Sequence, residues 1–394
     1  MNWFWFAVIA LLCWSGSDFF SKIGCRDAKD KYSHLKMVIA VGVVMGLHAA
    51  YEIFVGGVAI SWHVILTYLP VSLLYILSMA MGYIGLRYIE LSISSPICNS
   101  SGALVAIATI IIGGAADMVP MQFVAVALAA IGVIGLGFVE ANEDEALRAA
   151  RQEASNYKYS KSWLALALPI AYCILDAAGT FADSLVLEVF HIDFIQANAV
   201  AEFAPIFTDG IPDAFYSLTG LLEESGADSF AVLFEGGIAD TLPAIADAEV
   251  AQQISLFVSE FGLDAGKLDV LSAFVTEMEE ASANSANVAY ELTFLASGVF
   301  CFIYTVLIKK QKLVAKMEAP KYLGAVFETV GQFAYIFALA DEDHVAMSAP
   351  IISSYCVASV LWSRLFLKEK LSWKHYACIA VTVAGIIIMG VYDM

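Results

Sequence analysis

The heptapeptide LSISSPI occupies residues 91–97, and a related heptapeptide, VAMSAPI, occupies residues 345–351. The two heptapeptides align at an offset of 254 residues. The identical pairs in this alignment are Ser94 with Ser348, Pro96 with Pro350 and Ile97 with Ile351. In both places a short polar turn and another apolar segment follow, with Gly132 matching Gly385. This spacing predicts a chain of two related halves; the alternative is a chance similarity between apolar helices.

The composition places these halves in a membrane. The chain has 394 residues, of which 60% are hydrophobic and 15% are charged. Soluble globular proteins are about half apolar and about a quarter charged, so a soluble chain is excluded. The same figures exclude disordered, collagen-like and disulfide-scaffold proteins.

Ten segments are long and apolar enough to be membrane spans. A helix needs roughly 20 mainly apolar residues to cross the hydrocarbon core of a bilayer. The predicted spans are 2–24, 34–58, 63–87, 91–115, 119–140, 162–187, 288–309, 321–340, 344–366 and 373–393.

The basic residues give the orientation. Nineteen of the 20 lysine and arginine residues lie in the loops after odd-numbered spans; the exception is Lys267. Because Lys and Arg accumulate in cytoplasmic loops, both termini are predicted outside and the odd-numbered loops inside. A wrong number of spans would scramble this alternation, so it also supports ten.

Two five-span halves imply an inverted repeat, because five is odd and the second half must enter from the other side. Inverted repeats are a design of secondary transporters. The predicted fold class is an all-α polytopic membrane protein with ten transmembrane helices in two inverted five-helix repeats and a small all-helical soluble insertion. The predicted division is 1–161 for the first repeat and a cytoplasmic linker, 162–187 for the first helix of the second repeat, 188–287 for the insertion and 288–394 for the rest.

The insertion carries nearly all of the net charge. The chain has a formal charge of −19, and residues 188–287 hold 18 acidic residues against the single Lys267. This charge argues against nucleic-acid binding, which needs basic surface. Hydrophobic residues recur at helical spacing within 248–261 and 267–278, which predicts amphipathic helices that bury one stripe each. We expect an acidic helical domain outside the membrane.

The last helix pair carries a recognisable sequence pattern. Residues 366–389 read FLKEKLSWKHYACIAVTVAGIIIM, with a basic–acidic turn at Lys368-Glu369-Lys370 before the closing helix. This pattern resembles EamA-type carriers of the drug/metabolite transporter superfamily. SAPIISS at 348–354 and WSGSDFFSK at 14–22 also resemble that family. The first half has Ala115-Ala116-Asp117 where the acidic turn is expected. The resemblance covers everything except 188–287, and it implies the ten-helix carrier fold without naming a substrate.

Acidic residues within the spans are the main functional candidates, because an ionisable group in the hydrocarbon is costly and is retained for function by default. Asp176 and Glu328 lie near mid-span, and Asp183 lies two helical turns after Asp176. These three are predicted to line a central cavity, where a carboxyl carries a proton or binds a cation when ionised. The alternative is that some only hydrogen-bond to neighbouring helices.

Further candidates accompany them. Asp18 is a second-rank candidate, for which a local pair with Lys22 at the cytoplasmic mouth is slightly preferred, and Glu291 is a candidate gate at the outer mouth. Polar or aromatic candidates on the same helices are Tyr75, Gln332 and Tyr335. Aromatic rings can hold an organic cation, but packing is the commoner role. His48 is expected to be the partner of a neighbouring helix.

The sequence offers no catalytic residues, no metal site and no cofactor, since the motifs of metalloproteases, hydrolases and ATPases are absent. The predicted function is secondary transport of a small organic metabolite across a bacterial plasma membrane by alternating access, with proton coupling as an option. The alternatives are a divalent-cation transporter of related fold and a membrane-anchored extracytoplasmic binding module. Expected partners are a small-molecule or cation substrate and the lipid bilayer, with a homodimer and a partner for the acidic domain left open.

Overall fold

The computed structural model describes residues 3–26, 30–101, 104–105, 107, 120–142, 166–234, 236–238, 248–339, 351–352, 355–369 and 371–392. The regular secondary structure of these residues consists of helices, which are joined by turns and irregular segments. The repeat at 345–350 and the turn at 115–117 lie outside the described residues, as does most of the linker before 166.

The helices of the first half begin at the N-terminus. They are α1 (Trp3–Cys25), α2 (Ser33–Tyr51), α3 (Trp62–Gly85), α4 (Leu91–Cys98) and α5 (Pro120–Ala141). Those that follow are α6 (Ala167–Asn198), α7 (Asp213–Ser225), α8 (Phe230–Leu233), α9 (Ala248–Phe261), α10 (Ala265–Phe302), α11 (Ala315–Leu339), α12 (Tyr355–Trp362) and α13 (Trp373–Tyr392). Three π-helical turns, Glu52–Gly56, Ile303–Ile308 and Ser363–Leu367, extend α2, α10 and α12.

Each of the ten predicted spans contains one of these helices, but the count of ten stays a prediction. Within the described residues, five helices are long and apolar enough to cross a membrane: Phe4–Cys25, Ser33–Gly56, Trp62–Gly85, Ala167–Asn198 and Ala265–Ile308. Three shorter apolar helices are Pro120–Leu136, Tyr355–Leu367 and Trp373–Ile388. The protein is therefore an all-helical, multi-pass membrane protein.

The chain divides into two compact units. The first, here called the transmembrane unit, comprises Met1–Gly57, Trp62–Asp183 and Val288–Met394. The second, here called the acidic unit, comprises Val58–Ser61 and Ser184–Asn287. The short segment Val58–Ser61 was not foreseen as a part of it.

The acidic unit has its own hydrophobic core. The two amphipathic stripes predicted from the sequence are confirmed: Ile254 and Phe257 of α9 and Leu268, Leu271 and Val275 of α10 are buried in that core. Phenylalanines from the preceding segments complete it, with Phe207 and Phe230 almost fully buried. Since apolar burial is the main favourable term in folding, this stretch has the means to form a compact domain despite its charge.

In the transmembrane unit, glycines allow helices to approach closely and do so in reciprocal pairs. A Cβ atom at Gly132 of α5 would lie 2.1 Å from Oγ1 of Thr382 in α13, and one at Gly385 of α13 would lie 2.5 Å from the backbone nitrogen of Ala129 in α5. Gly385 follows Gly132 by 253 residues, and Thr382 follows Ala129 by the same number. The two contacts between α5 and α13 are therefore reciprocal at one sequence offset.

Two more glycines lie against aromatic rings. A Cβ at Gly16 of α1 would lie 3.3 Å from the Phe327 ring of α11, and one at Gly179 of α6 would lie 3.1 Å from the Tyr75 ring of α3. Gly42 of α2 and Gly298 of α10 face each other directly.

Candidate functional site

Helix α11 presents three of the predicted site residues on one face. Glu328, Gln332 and Tyr335 are spaced by four and three residues, so they lie one above another along the helix. The Glu328 carboxylate accepts a hydrogen bond from the hydroxyl of Ser17 on α1. Gln332 is partly buried, and the Tyr335 ring lies 5.2 Å from the ring of Trp14, also on α1. The α1–α11 interface therefore carries the acidic candidate of α11.

Asp18 joins this group from α1. Its Oδ2 atom accepts hydrogen bonds from Ser95 Oγ at 2.5 Å and Ser359 Oγ at 2.8 Å. Ser95 belongs to α4 and Ser359 to α12, so three helices meet at one carboxylate. The expected local pair with Lys22 is not the arrangement found: the Lys22 ammonium donates to the carbonyls of Leu86 at 2.7 Å and Ile89 at 2.5 Å.

Asp176 of α6 is held in the same manner. Its carboxylate accepts hydrogen bonds from the hydroxyls of Ser78, at 3.5 Å, and Ser101. Glu328 interacts electrostatically with both Asp176 and Asp18. These three acids are here called the central acidic cluster, and each is anchored by serine hydroxyls from other helices.

Tyrosines surround the central acidic cluster. Four tyrosine side chains lie within electrostatic range of Glu328: Tyr83, Tyr172, Tyr290 and Tyr355. Tyr355 also packs edge-on against Trp14, with ring centroids 5.6 Å apart. The cluster therefore combines negative charge with aromatic faces, which is the chemistry that binds organic cations.

Asp183 and Tyr75 form a neighbouring site. Asp183 accepts hydrogen bonds from Tyr68 Oη at 2.6 Å and from Tyr75 Oη at 3.4 Å. The Tyr75 hydroxyl oxygen also lies 3.2 Å from Thr180 Oγ1. Tyr75 interacts electrostatically with Asp176 as well. It thus links Asp183 to the central acidic cluster along one face of α6.

Glu291 lies elsewhere, in contact with His48. The Nδ1 atom of His48 is 2.9 and 3.0 Å from the two carboxylate oxygens of Glu291, and Glu291 is only 2% exposed. The other ring nitrogen of His48 lies 3.6 Å from Glu52. His48 therefore joins α2 to α10 as an interhelical partner, in agreement with its predicted role. The gating role of Glu291 stays a prediction.

Glu369 and the anchoring serines are polar contact residues of this region that sequence reasoning missed. The Glu369 carboxylate accepts hydrogen bonds from the backbone N–H groups of Leu91 and Ser92, at 3.0 and 3.1 Å, and from Ser92 Oγ at 2.7 Å. The acid of the Lys368-Glu369-Lys370 turn thus caps the first turn of α4, where exposed N–H groups favour a negative charge. The available signal was the density of serine in WSGS and SISS.

A second set of buried charges differs from the central acidic cluster in having its own cations. Lys36 lies 2.9 Å from Asp30 and 3.3 Å from Glu318, and Lys321 lies 2.9 Å from Glu318. All four side chains are at most 7% exposed. These four residues are here called the ion-pair network. It connects the start of α2 with the start of α11.

The described residues do not bring three His, Cys, Asp or Glu side chains together as a metal site. The seven cysteines are free thiols, buried or partly buried.

Comparison with known proteins bears on the second half of the chain. The profile of the EamA-like transporter family matches residues 280–391. This match includes the closing helices 366–389 and the SAPIISS stretch, and it confirms their resemblance to that family. A search of the curated proteins finds no match.

Proposed function

We propose that this protein is a secondary transporter that moves a small organic metabolite across the plasma membrane by alternating access. The observation that carries the proposal is the central acidic cluster: three carboxylates from α1, α6 and α11 that have hydroxyl partners and no Lys or Arg within 4 Å among the described residues. Uncompensated acids among membrane helices mark the pathway of a substrate or proton.

The reciprocal glycine contacts support the mechanism. Alternating access in inverted-repeat carriers exchanges the roles of two structurally equivalent halves around one fixed site. The pairs Gly132–Thr382 and Gly385–Ala129 have the reciprocity expected of such halves. We therefore propose ten spans in two inverted repeats of five, with both termini and the acidic unit outside.

Proton coupling through Asp176 or Glu328 is part of the proposal. A carboxylate that loses its proton when substrate binds, and regains it on return, links solute movement to the proton gradient. Both acids accept hydrogen bonds only from serine hydroxyls in the described structure. Because a hydroxyl can also accept, these contacts persist when the acid is protonated.

Uptake into proteoliposomes tests the proposal. With labelled metabolites of positive, neutral and negative charge and an imposed pH gradient, we expect at least one solute to move. Asp176→Asn and Glu328→Gln should each lower the rate on the order of tenfold or more, the effect of losing one transition-state contact. Glu260→Gln, the same chemical change at an exposed residue of α9, is the matched control.

The outcomes separate the parts of the proposal. If no solute moves with folded protein, transport is wrong. If a solute moves and both variants keep the wild-type rate and pH dependence, coupling through these acids is wrong while transport stands.

We propose further that the acidic unit is an accessory to transport. Its core is self-contained, and the proposed solute site uses residues of the transmembrane unit only. Deleting 189–286 and joining the ends with a short linker should leave transport measurable. Loss of all transport with the remaining helices still folded would instead make the unit a required binding module.

A further inference from the structure

We propose that the central acidic cluster binds an organic ammonium ion whose carbon body packs against the surrounding tyrosines. This inference rests on the proposed transport function and names the substrate class of the same site. It is carried by three features of the site: its charge balance, an unpaired tyrosine hydroxyl and its aromatic faces.

The charge of the cluster is unbalanced. The nearest basic residue along the chain is Lys22, one helical turn after Asp18. Its ammonium is held by the carbonyls of Leu86 and Ile89, and the acids with which it interacts are Glu369 and Glu90. Since buried charges in proteins are paired, the cluster is left to be balanced by a proton or by a cation brought from outside.

Two polar groups without a hydrogen-bond partner point to a bound molecule. The indole N–H of Trp14, which packs against Tyr335 and Tyr355, is buried and has no partner within the described part of the chain. Tyr83 is 7% exposed, and its hydroxyl, which makes no hydrogen bond there, lies within electrostatic range of Glu328 and Asp18. A buried polar group without a partner calls for an explanation in a native protein, and a ligand that bonds it supplies one.

The aromatic rings select an organic cation over a metal ion. Ammonium groups are attracted to the faces of Tyr and Trp rings within about 6 Å, and Tyr290, Tyr355 and Trp14 provide such faces beside the acids. A divalent metal requires several oxygen ligands in its first shell. Among the described residues, no three His, Cys, Asp or Glu side chains are arranged so that they could hold a metal ion. An ammonium ion uses one carboxylate, one hydroxyl and the ring faces together.

Binding to the purified full-length protein in detergent tests this inference, with phenethylamine as the probe. Its matched controls are 2-phenylethanol, which is neutral and of nearly the same shape, and phenylacetate, which is an anion. By titration calorimetry we expect the amine to bind on the order of tenfold or more tightly than either control, since a buried charged contact contributes more than one tenfold factor.

Variants locate the binding site. Glu328→Gln should weaken amine binding on the order of tenfold, and Tyr83→Phe several-fold, because it removes one hydroxyl while keeping the ring. Glu260→Gln should leave binding unchanged. If Glu328→Gln does not fold, Tyr83→Phe, which keeps the aromatic ring, is the test. Amine binding to Tyr83→Phe with the wild-type affinity then overturns the inference.

The results also separate this inference from the proposed function. Equal binding of phenethylamine and 2-phenylethanol, or tighter binding of Mn²⁺ than of the amine, overturns the inference. Transport of neutral or anionic solutes without amine binding leaves the transporter proposal standing and removes this one. If the amine binds in a Glu328-dependent manner but no solute is transported, this inference stands and the transporter proposal is wrong.

Discussion

The ion-pair network and the central acidic cluster are both groups of buried charges between transmembrane helices, but only one of them is balanced. In the ion-pair network, Asp30 and Glu318 lie within 3.3 Å of Lys36, and Lys321 reaches Glu318. In the central acidic cluster the partners are hydroxyls such as Ser95 and Ser359.

The difference separates structural charges from functional ones. A buried ion pair resists the removal of either member, because the other is left as an uncompensated charge. An acid that is already uncompensated loses nothing of this kind when it is neutralised. A neutral substitution in the ion-pair network should therefore reduce the stability of the protein and leave its activity in place. A neutral substitution in the central acidic cluster should reduce activity and leave stability in place.

The largest expected change in stability comes from Lys36→Met. It leaves Asp30 and one oxygen of Glu318 without their cation, and breaking a buried pair costs roughly 3–5 kcal/mol. Thermal or denaturant unfolding in detergent measures the loss. The matched control is Lys267→Met, which breaks the exposed pair with Glu202 and should change stability by less than about 1 kcal/mol. Equal stability of the two variants would show that the network is not structural.

A smaller loss is expected for Glu369→Gln. The carboxylate caps the first turn of α4 through two backbone N–H groups and Ser92, and the amide keeps one acceptor but loses the charge. Helix caps and charges at helix ends contribute about 1 kcal/mol each. The same unfolding assay applies, and Glu260→Gln serves again as control. If Glu369→Gln lowered the free energy of unfolding as much as Lys36→Met does, Glu369 and Lys22 would form a buried ion pair as strong as those of the ion-pair network.

The smallest change in stability is expected where the change in activity is greatest. Glu328→Gln removes an uncompensated buried charge and keeps an acceptor for Ser17, so the free energy of unfolding should stay within about 1 kcal/mol of the wild type or rise. Transport by the same sample should fall sharply. A destabilisation similar to that of Lys36→Met would place Glu328 with the structural charges and remove the contrast between the two regions.

Much of the fold was accessible from sequence because helices have a regular period. A helix occurs in every predicted span, and the stripes of α9 and α10 are buried as their spacing required. Within one helix, the sequence position of a residue determines the face of the helix on which its side chain lies. The acids Asp176 and Glu328 were found for the same reason, since a charge in an apolar run is visible without knowing its neighbours.

The partners of those acids were not accessible, because they come from helices far along the chain. Ser95 and Ser359 reach Asp18 across 77 and 341 residues. Local reasoning assigned Lys22 to Asp18, four residues away, but Lys22 bonds to carbonyls beyond the end of α3 instead. The periodicity of a sequence shows which residues share one face of a helix, but it does not show which other helix packs against that face. Contacts between helices can therefore be identified only from the three-dimensional structure.

The distribution of thiols makes the protein well suited to site-specific labelling. All seven cysteines belong to the transmembrane unit, where they are buried or partly buried, and the acidic unit has none. A cysteine introduced at an exposed position of α9, such as Ser259, would be the most accessible thiol of the chain without removal of the native ones. A maleimide that does not cross membranes would then report, on intact cells, which side of the bilayer the acidic unit occupies.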